Sequence, residues 1–300
     1  MPRACIGGVD LHFQRFGRGP EIVLLHGLTA NLAFWHPAVV SGLAEEFSIT
    51  LLDFRGHGRS AIAPSGYTTR ALAGDVVALL DHLGVERARL IGHSYGGAVA
   101  LHAAVLAPDR VAGLVLADAR VRALQPGSGL ADWEEWPRVE ARLAAHGIAI
   151  PPGALAEDLG VLLHLARLRV SGRLDGIDFG AVFVPFARGG RGAAQRWLDV
   201  VGATSAPAEF ADVAGLTAGA IAAVSAPVLG VYGERSHCRP TLDALRALLP
   251  GMATAVVEGV GHFHPVLRPE RFLDETRRFL GHPVEGAAAR PPVAAARSGH

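Results

Sequence analysis

The sequence predicts an α/β protein whose central sheet is mostly parallel, flanked by helices and interrupted by a helical insertion. Two observations carry that prediction. First, the short apolar runs "EIVLLHG", "SITLLDF", "ARLIGHS", "VAGLVLAD" and "APVLGVYG" alternate with longer helix-periodic segments. Unbroken apolar runs mark strands buried on both faces, and strand–helix alternation marks the crossover units of a parallel sheet. Second, the alternation stops at about Ala119, gives way to helical patches without a buried-strand run, and resumes after Ala222.

Taken in order, "VDLHFQRFG" alternates as a half-buried strand, and Gly17-Arg18-Gly19-Pro20 turns it. "EIVLLHG" and "SITLLDF" follow as strands. "TTRALAGDVVALLDHLG" sets Leu72, Val76, Leu79, Leu80 and Leu83 on one helical face, with Gly84 as its stop. Strand "ARLIGHS" leads into helix "GGAVALHAAVLAPDR", ended by Pro108, and then strand "VAGLVLAD". The insertion holds "WEEWPRVEARLAAHG" and "ALAEDLGVLLHLARLRV". Beyond it come strand "APVLGVYG", helix "TLDALRALLP", strand "ATAVVEG" and helix "PERFLDETRRFLG". The expected organisation is a core of residues 1–118 and 223–282, a helical cap over 119–222, and a disordered Ala/Pro/Arg-rich tail at 283–300.

A chain of 300 residues has room for one large domain with an insertion, and 50% hydrophobic with 19% charged residues suits a globular core. All basic residues are arginine, yet the formal net charge is zero. That balance offers no basic surface for nucleic acid or an anionic membrane. Cys5 and Cys238 are too few for a disulfide framework and read as free thiols in a reducing compartment. "MPRACIGGVD" lacks the apolar stretch of a signal peptide. "AGLTAGAIAAVSAPVLGVYG" is broken by Pro227 and glycines, so it reads as helix end, turn and strand and not as a membrane span. The expectation is a soluble cytoplasmic protein.

The chemistry is concentrated in "LIGHSYGG", which carries Gly92-x-Ser94-x-Gly96 between a predicted strand and a predicted helix. A serine at such a sharp turn projects its hydroxyl over the sheet, and small neighbours let strand and helix approach. The helix N-terminus favours developing negative charge. Ser94 is therefore the candidate nucleophile.

Four motifs in order, "LLHG" at 24–27, "DFRGHGRS" at 53–60, "GHSYGG" at 92–97 and "GVGHFHP" at 259–265, make the chain resemble the α/β-hydrolase fold family in its capped branch. The resemblance spans about residues 9 to 282. It implies that the Tyr95 and Leu28 amides form the oxyanion hole and that His262 is the catalytic base. It makes "DFRGHGRS" structural, with Asp53 and Arg55 bracing the loop around Gly56 and Gly58, and His57 a loop histidine. His264 reads as a loop or substrate-contact residue.

The resemblance also exposes a gap. The family usually places its acid after the seventh strand as Gly-Glu/Asp-x-Asp, and this chain has Gly233-Glu234-Arg235-Ser236. Three readings remain. Asp118, after the sixth strand, matches the position some relatives use and leads; Glu234 is an alternative acid; or the triad has none. His237, Cys238, His262 and His264 are a rival set of metal ligands, but their spacing matches no standard motif. No metal and no cofactor are expected.

Trp133, Trp136, Leu162, Leu163, Leu165, Phe183, Phe186 and Trp197 are candidate pocket walls, most of them cap core. Arg120 and Arg122 sit near the mouth. The expected function is a serine hydrolase that cleaves an ester, thioester or lactone of a small to medium, mainly apolar substrate through an acyl-enzyme. A carbon–carbon-bond-acting or other non-hydrolytic tailoring enzyme, and an inert ligand-binding relative, are the alternatives. The expected partner is a small-molecule substrate, with neither nucleic acid nor membrane; the oligomeric state is left open.

Overall fold

The structure, a computed structural model, describes residues 3–127, 133–156, 159–180, 182–187 and 190–281. The tail at 283–300 lies outside the described residues. Eight strands form one sheet: β1 (Arg3–Ile6), β2 (Val9–Phe16), β3 (Glu21–Leu25), β4 (Ser48–Leu52), β5 (Ala88–His93), β6 (Val111–Ala117), β7 (Val228–Gly233) and β8 (Ala253–Val257). Their order is β1-β2-β4-β3-β5-β6-β7-β8. β1 and β2 are antiparallel, as are β2 and β4; every pairing from β4 to β8 is parallel.

The predicted strands are all present. β1 is an addition: among Arg3-Ala4-Cys5-Ile6 only Ile6 is buried, so no apolar run announces it. It exists because Gly7 and Gly8, both at positive φ, close a tight hairpin onto β2.

Helices cover both faces of the sheet, which is why the central strands are apolar throughout. Thr69–His82, Tyr95–Leu106 and Arg239–Leu248 pack one face through Leu72, Val76, Val99, Leu101 and Leu242. Ala38–Leu43 and Pro269–Leu280 pack the other through Val40, Leu43 and Phe272.

Between β6 and β7 the described residues hold helices and no strand: Trp136–Ala144, Pro152–Ala156, Gly160–Val170, Arg191–Ala203, Ala206–Ala211 and Ala218–Ala222. The insertion has an apolar cluster of its own around Trp133, Trp136, Leu143 and Leu165. A second cluster joins it to the body, where Ala166, Trp197 and Phe210 meet Tyr67. Val121, Leu216 and Ile221 pack into the main core.

Two polar ties fix the second half of the insertion. The Glu209 carboxylate accepts from three successive amides, Gly66 (2.9 Å), Tyr67 (2.5 Å) and Thr68 (3.2 Å). Arg196 donates to the carbonyls of Gly56 (3.1 Å) and Ser60. Among the described residues no helix is long and apolar enough to cross a membrane. The parallel strands put Ser94, Asp118 and the loop carrying His262 beyond their carboxyl ends, where sheets of this kind place their sites.

Candidate active site

Ser94 joins β5 to the helix Tyr95–Leu106 at φ 54°, ψ −119°. The surrounding glycines are obligatory. A Cβ on Gly92 would lie 2.3 Å from the Gly96 carbonyl oxygen, and one on Gly96 2.4 Å from that of Leu25. The helix thus abuts the end of β3. The turn after β3 closes on the same point, since a Cβ on Gly27 would lie 3.1 Å from Ser94 Cβ. That turn is held by His26, whose Nδ1 donates to the Gly27 carbonyl (2.8 Å) and whose Nε2 accepts from the Phe54 amide (3.2 Å). Tyr95 is the first residue of its helix, so its amide has no intrahelical acceptor. Leu28 follows Gly27 and shares two cavities with Ser94.

His262, in the loop after β8, is almost fully buried and lines the larger Ser94 cavity. His93 Nε2 donates to the His262 carbonyl at 2.9 Å, tying the nucleophile turn to the histidine loop. The two rings lie 4.7 Å apart, and Phe34 stacks on His93 at 4.4 Å. Burial, followed by the neighbouring His262, lowers the His93 pKa well below the ordinary value, so His93 is a neutral strut.

Asp118 is wholly buried at φ 49°, a conformation aspartate tolerates. Its amide donates to Val231 O (2.9 Å), and its Oδ2 accepts from the Gly233 amide (2.9 Å). These contacts turn the carboxylate from the end of β6 toward β7. Oδ1 stands 3.9 Å from His262 Nδ1, an ion-pair separation too long for a hydrogen bond, and has no hydrogen-bond partner. Burial alone would raise the Asp118 pKa. His262 and His264 more than offset this and hold it well below the usual carboxylate range.

His264 differs from expectation. It is fully buried and opens the short helix His264–Leu267, so it is neither a loop nor a substrate-contact residue. Its Nε2 donates to Val231 O at 3.0 Å and lies 3.2 Å from Asp118 Oδ2. The Asp118 carboxylate is therefore flanked by two histidines. The spacing His262-x-His264 was the available signal, but only the fold shows that the second ring turns inward.

Glu234 is exposed and accepts from the Gly259 amide (2.8 Å), a brace for the histidine loop. Its recorded partner is that backbone amide, not His262. Ser236 accepts from the Cys238 amide (3.0 Å), forming a short local turn. The side chain that reaches His262 from this stretch is Cys238, with Sγ 3.6 Å from Nδ1; His237 packs beside the same ring at 4.6 Å.

His57 lines a separate depression with Asp53 and Arg196 and neither of the Ser94 cavities. Its Nδ1 donates to Arg55 O (3.0 Å), and burial lowers its pKa to about 3. Asp53 and Arg55 brace the loop as expected. Asp53 accepts from His12, Leu32 and Arg59, while Arg55 forms a two-pronged pair with Asp75 (2.8 and 2.6 Å).

Two cavities, of about 540 and 400 Å³, meet at Leu28, Ser94 and Arg120. Trp133, Leu162, Phe183 and Phe186 wall the larger one, and Leu163, Phe210 and Arg122 the smaller. Trp136 and Leu165 stay in the insertion's own core, and Trp197 faces the His57 depression.

The model of the alpha/beta hydrolase fold family matches residues 20–145. A 2-(acetamidomethylene)succinate hydrolase of Mesorhizobium japonicum is 30% identical over 294 residues, covering 93% of this chain and 94% of its own. A pimeloyl-[acyl-carrier protein] methyl ester esterase of Aeromonas hydrophila is 29% identical, covering 91% of this chain and 100% of its own. Among solved structures, Est816, an N-acyl homoserine lactone degrading enzyme, superposes with a TM-score of 0.66 at 26% identity, over 93% of this chain and all of its own.

Proposed function

Because the chain belongs to the α/β-hydrolase family and is an enzyme of that family, we propose that it is a serine hydrolase of carboxylic esters or lactones working through an acyl-enzyme. The observation that carries this reading is the strained Ser94 turn, placed at the meeting point of two cavities with His262 on the wall of one. The ester- and lactone-acting relatives support the same substrate class.

Ser94 Oγ attacks the acyl carbon while His262 takes its proton. His262 Nδ1 faces Asp118 and Cys238, which leaves Nε2 for that transfer. Asp118 stabilises the imidazolium electrostatically. The Leu28 and Tyr95 amides receive the oxyanion, a contribution of about 3–4 kcal/mol per donor. His262 then returns the proton to the leaving alkoxide, and water repeats the sequence to release the acid. Cavities on both sides of Ser94 suit an ester with a substantial group on each side of the carbonyl, mainly apolar, with Arg120 at the junction.

Incubation with a fluorophosphonate, read by peptide mass, tests the assignment. Labelling at Ser94, with turnover of aryl esters that Ser94→Ala lowers by at least 10³-fold, is the expected result. Ester turnover that survives Ser94→Ala would sink it.

A further inference from the structure

The loop after β7 brings His237 and Cys238, which the proposed reaction does not use, against its base His262. One ligand atom from each of His237, Cys238 and His262 lies within 4.8 Å of the other two. Cys238 Sγ is 3.6 Å from His262 Nδ1. A tetrahedral zinc ion, with bonds of about 2.3 Å to sulfur and 2.0–2.1 Å to imidazole nitrogen, holds such a pair about 3.5 Å apart. That edge of the tetrahedron is already formed.

Two atoms beside it lack partners. His237 Nδ1 is buried without a hydrogen-bond partner, and so is Asp118 Oδ1, which stands 3.9 Å from His262 Nδ1. One thiolate, two imidazoles and a carboxylate select a borderline-soft cation over magnesium or calcium. Access runs through His237, which lines both the larger Ser94 cavity and an outer depression beside Gln125 and Pro240.

We propose that His237, Cys238 and His262, with Asp118 as fourth donor, form an inhibitory site for a thiophilic divalent cation such as Zn²⁺. On binding, the Cys238 thiol releases its proton to solvent. The cation takes the His262 Nδ1 lone pair, so the ring proton resides on Nε2. An Nε2–H cannot accept the Ser94 proton, and the base is lost. The inhibition rests on the reading of His262 as base; the binding does not.

The test uses Cys5→Ser protein, because Cys5 is an exposed thiol that would bind the probe itself. Cd²⁺ is titrated while the ultraviolet cadmium–thiolate absorption, proton release and aryl-ester hydrolysis are followed together. We expect a saturable one-to-one band, one proton released, and hydrolysis lost at the same midpoint and restored by a chelator. His237→Gln and His237→Ala, with folding checked by circular dichroism, should weaken binding at least tenfold. The absence of a band, or a midpoint unmoved in both variants, overturns the site. A saturated band with undiminished hydrolysis overturns the inhibition. A protein with no ester turnover at all that still shows the His237-dependent band supports the site and counts against the hydrolase reading alone.

Discussion

At Asp118 a single residue's backbone decides which acid meets the histidine. Its positive φ and its bond to the Gly233 amide aim the carboxylate at the space between His262 and His264. Asp118→Asn keeps the shape and removes the charge, so kcat should fall by about 10³–10⁴-fold. Glu234→Gln, at a side chain that braces the Gly259 amide, should stay within a few-fold of the parent. Steady-state kinetics on one aryl ester decide both. Chain position alone left these residues as rivals, because it carries no distance to His262. The same limit made His264 look like a loop residue and told against Cys238 as a ligand beside His262, since ligand spacing in sequence says nothing about segments that meet through tertiary folding. Ser94 was legible for the opposite reason: its strand, turn and helix are contiguous.

Elements were legible where burial wrote a continuous pattern. β3 to β7 announce themselves through buried apolar runs, β8 through its residue types although only Val257 is buried, and the longer helices other than Arg191–Ala203 through apolar faces. The six-residue helix Ala38–Leu43 does not, partly because Gly42 lowers its helix propensity. The glycine is needed there: a Cβ would lie 2.6 Å from a Leu273 methyl carbon. Local preference yields to packing between helices. The turn at Ser94 obeys the same rule with less tolerance, because the neighbours are backbone. Gly96→Ala would put a methyl group against two carbonyl oxygens at 2.4 and 2.5 Å. We expect a loss on the order of 3 kcal/mol or more in unfolding free energy, read from denaturant midpoints, with esterase activity falling alongside.

For the whole molecule, the sequence showed where the sheet pauses but not how the inserted helices are tethered. The insertion is tied at more than one place: Glu134 lies 3.8 Å from Arg235, and Phe183 packs on Phe263 at 4.1 Å. Arg196 and Glu209 bind the stretch 191–211 to body loops through backbone carbonyls and amides, and Trp197 and Phe210 add apolar contact. Glu209 is a carboxylate whose burial alone would raise its pKa; Ser205 and the three amides outweigh that and lower it. A depressed folded value means its stabilising contribution is present above the unfolded value of about 4.3 and is lost as pH falls through the folded one. At neutral pH, Glu209→Gln should accelerate amide hydrogen exchange in 191–211 and in Gly66, Tyr67 and Thr68, with little change in the distant helix Pro269–Leu280. Unaltered exchange at those amides would show that apolar contact alone holds the insertion.

The roof thus meets the body in two ways: backbone-directed polar bonds at 191–211, and the packing of Trp133 and Phe183 on Phe263. Phe263 follows His262 directly, so any shift of the Phe183 wall of the larger cavity is transmitted to the residue next to the histidine.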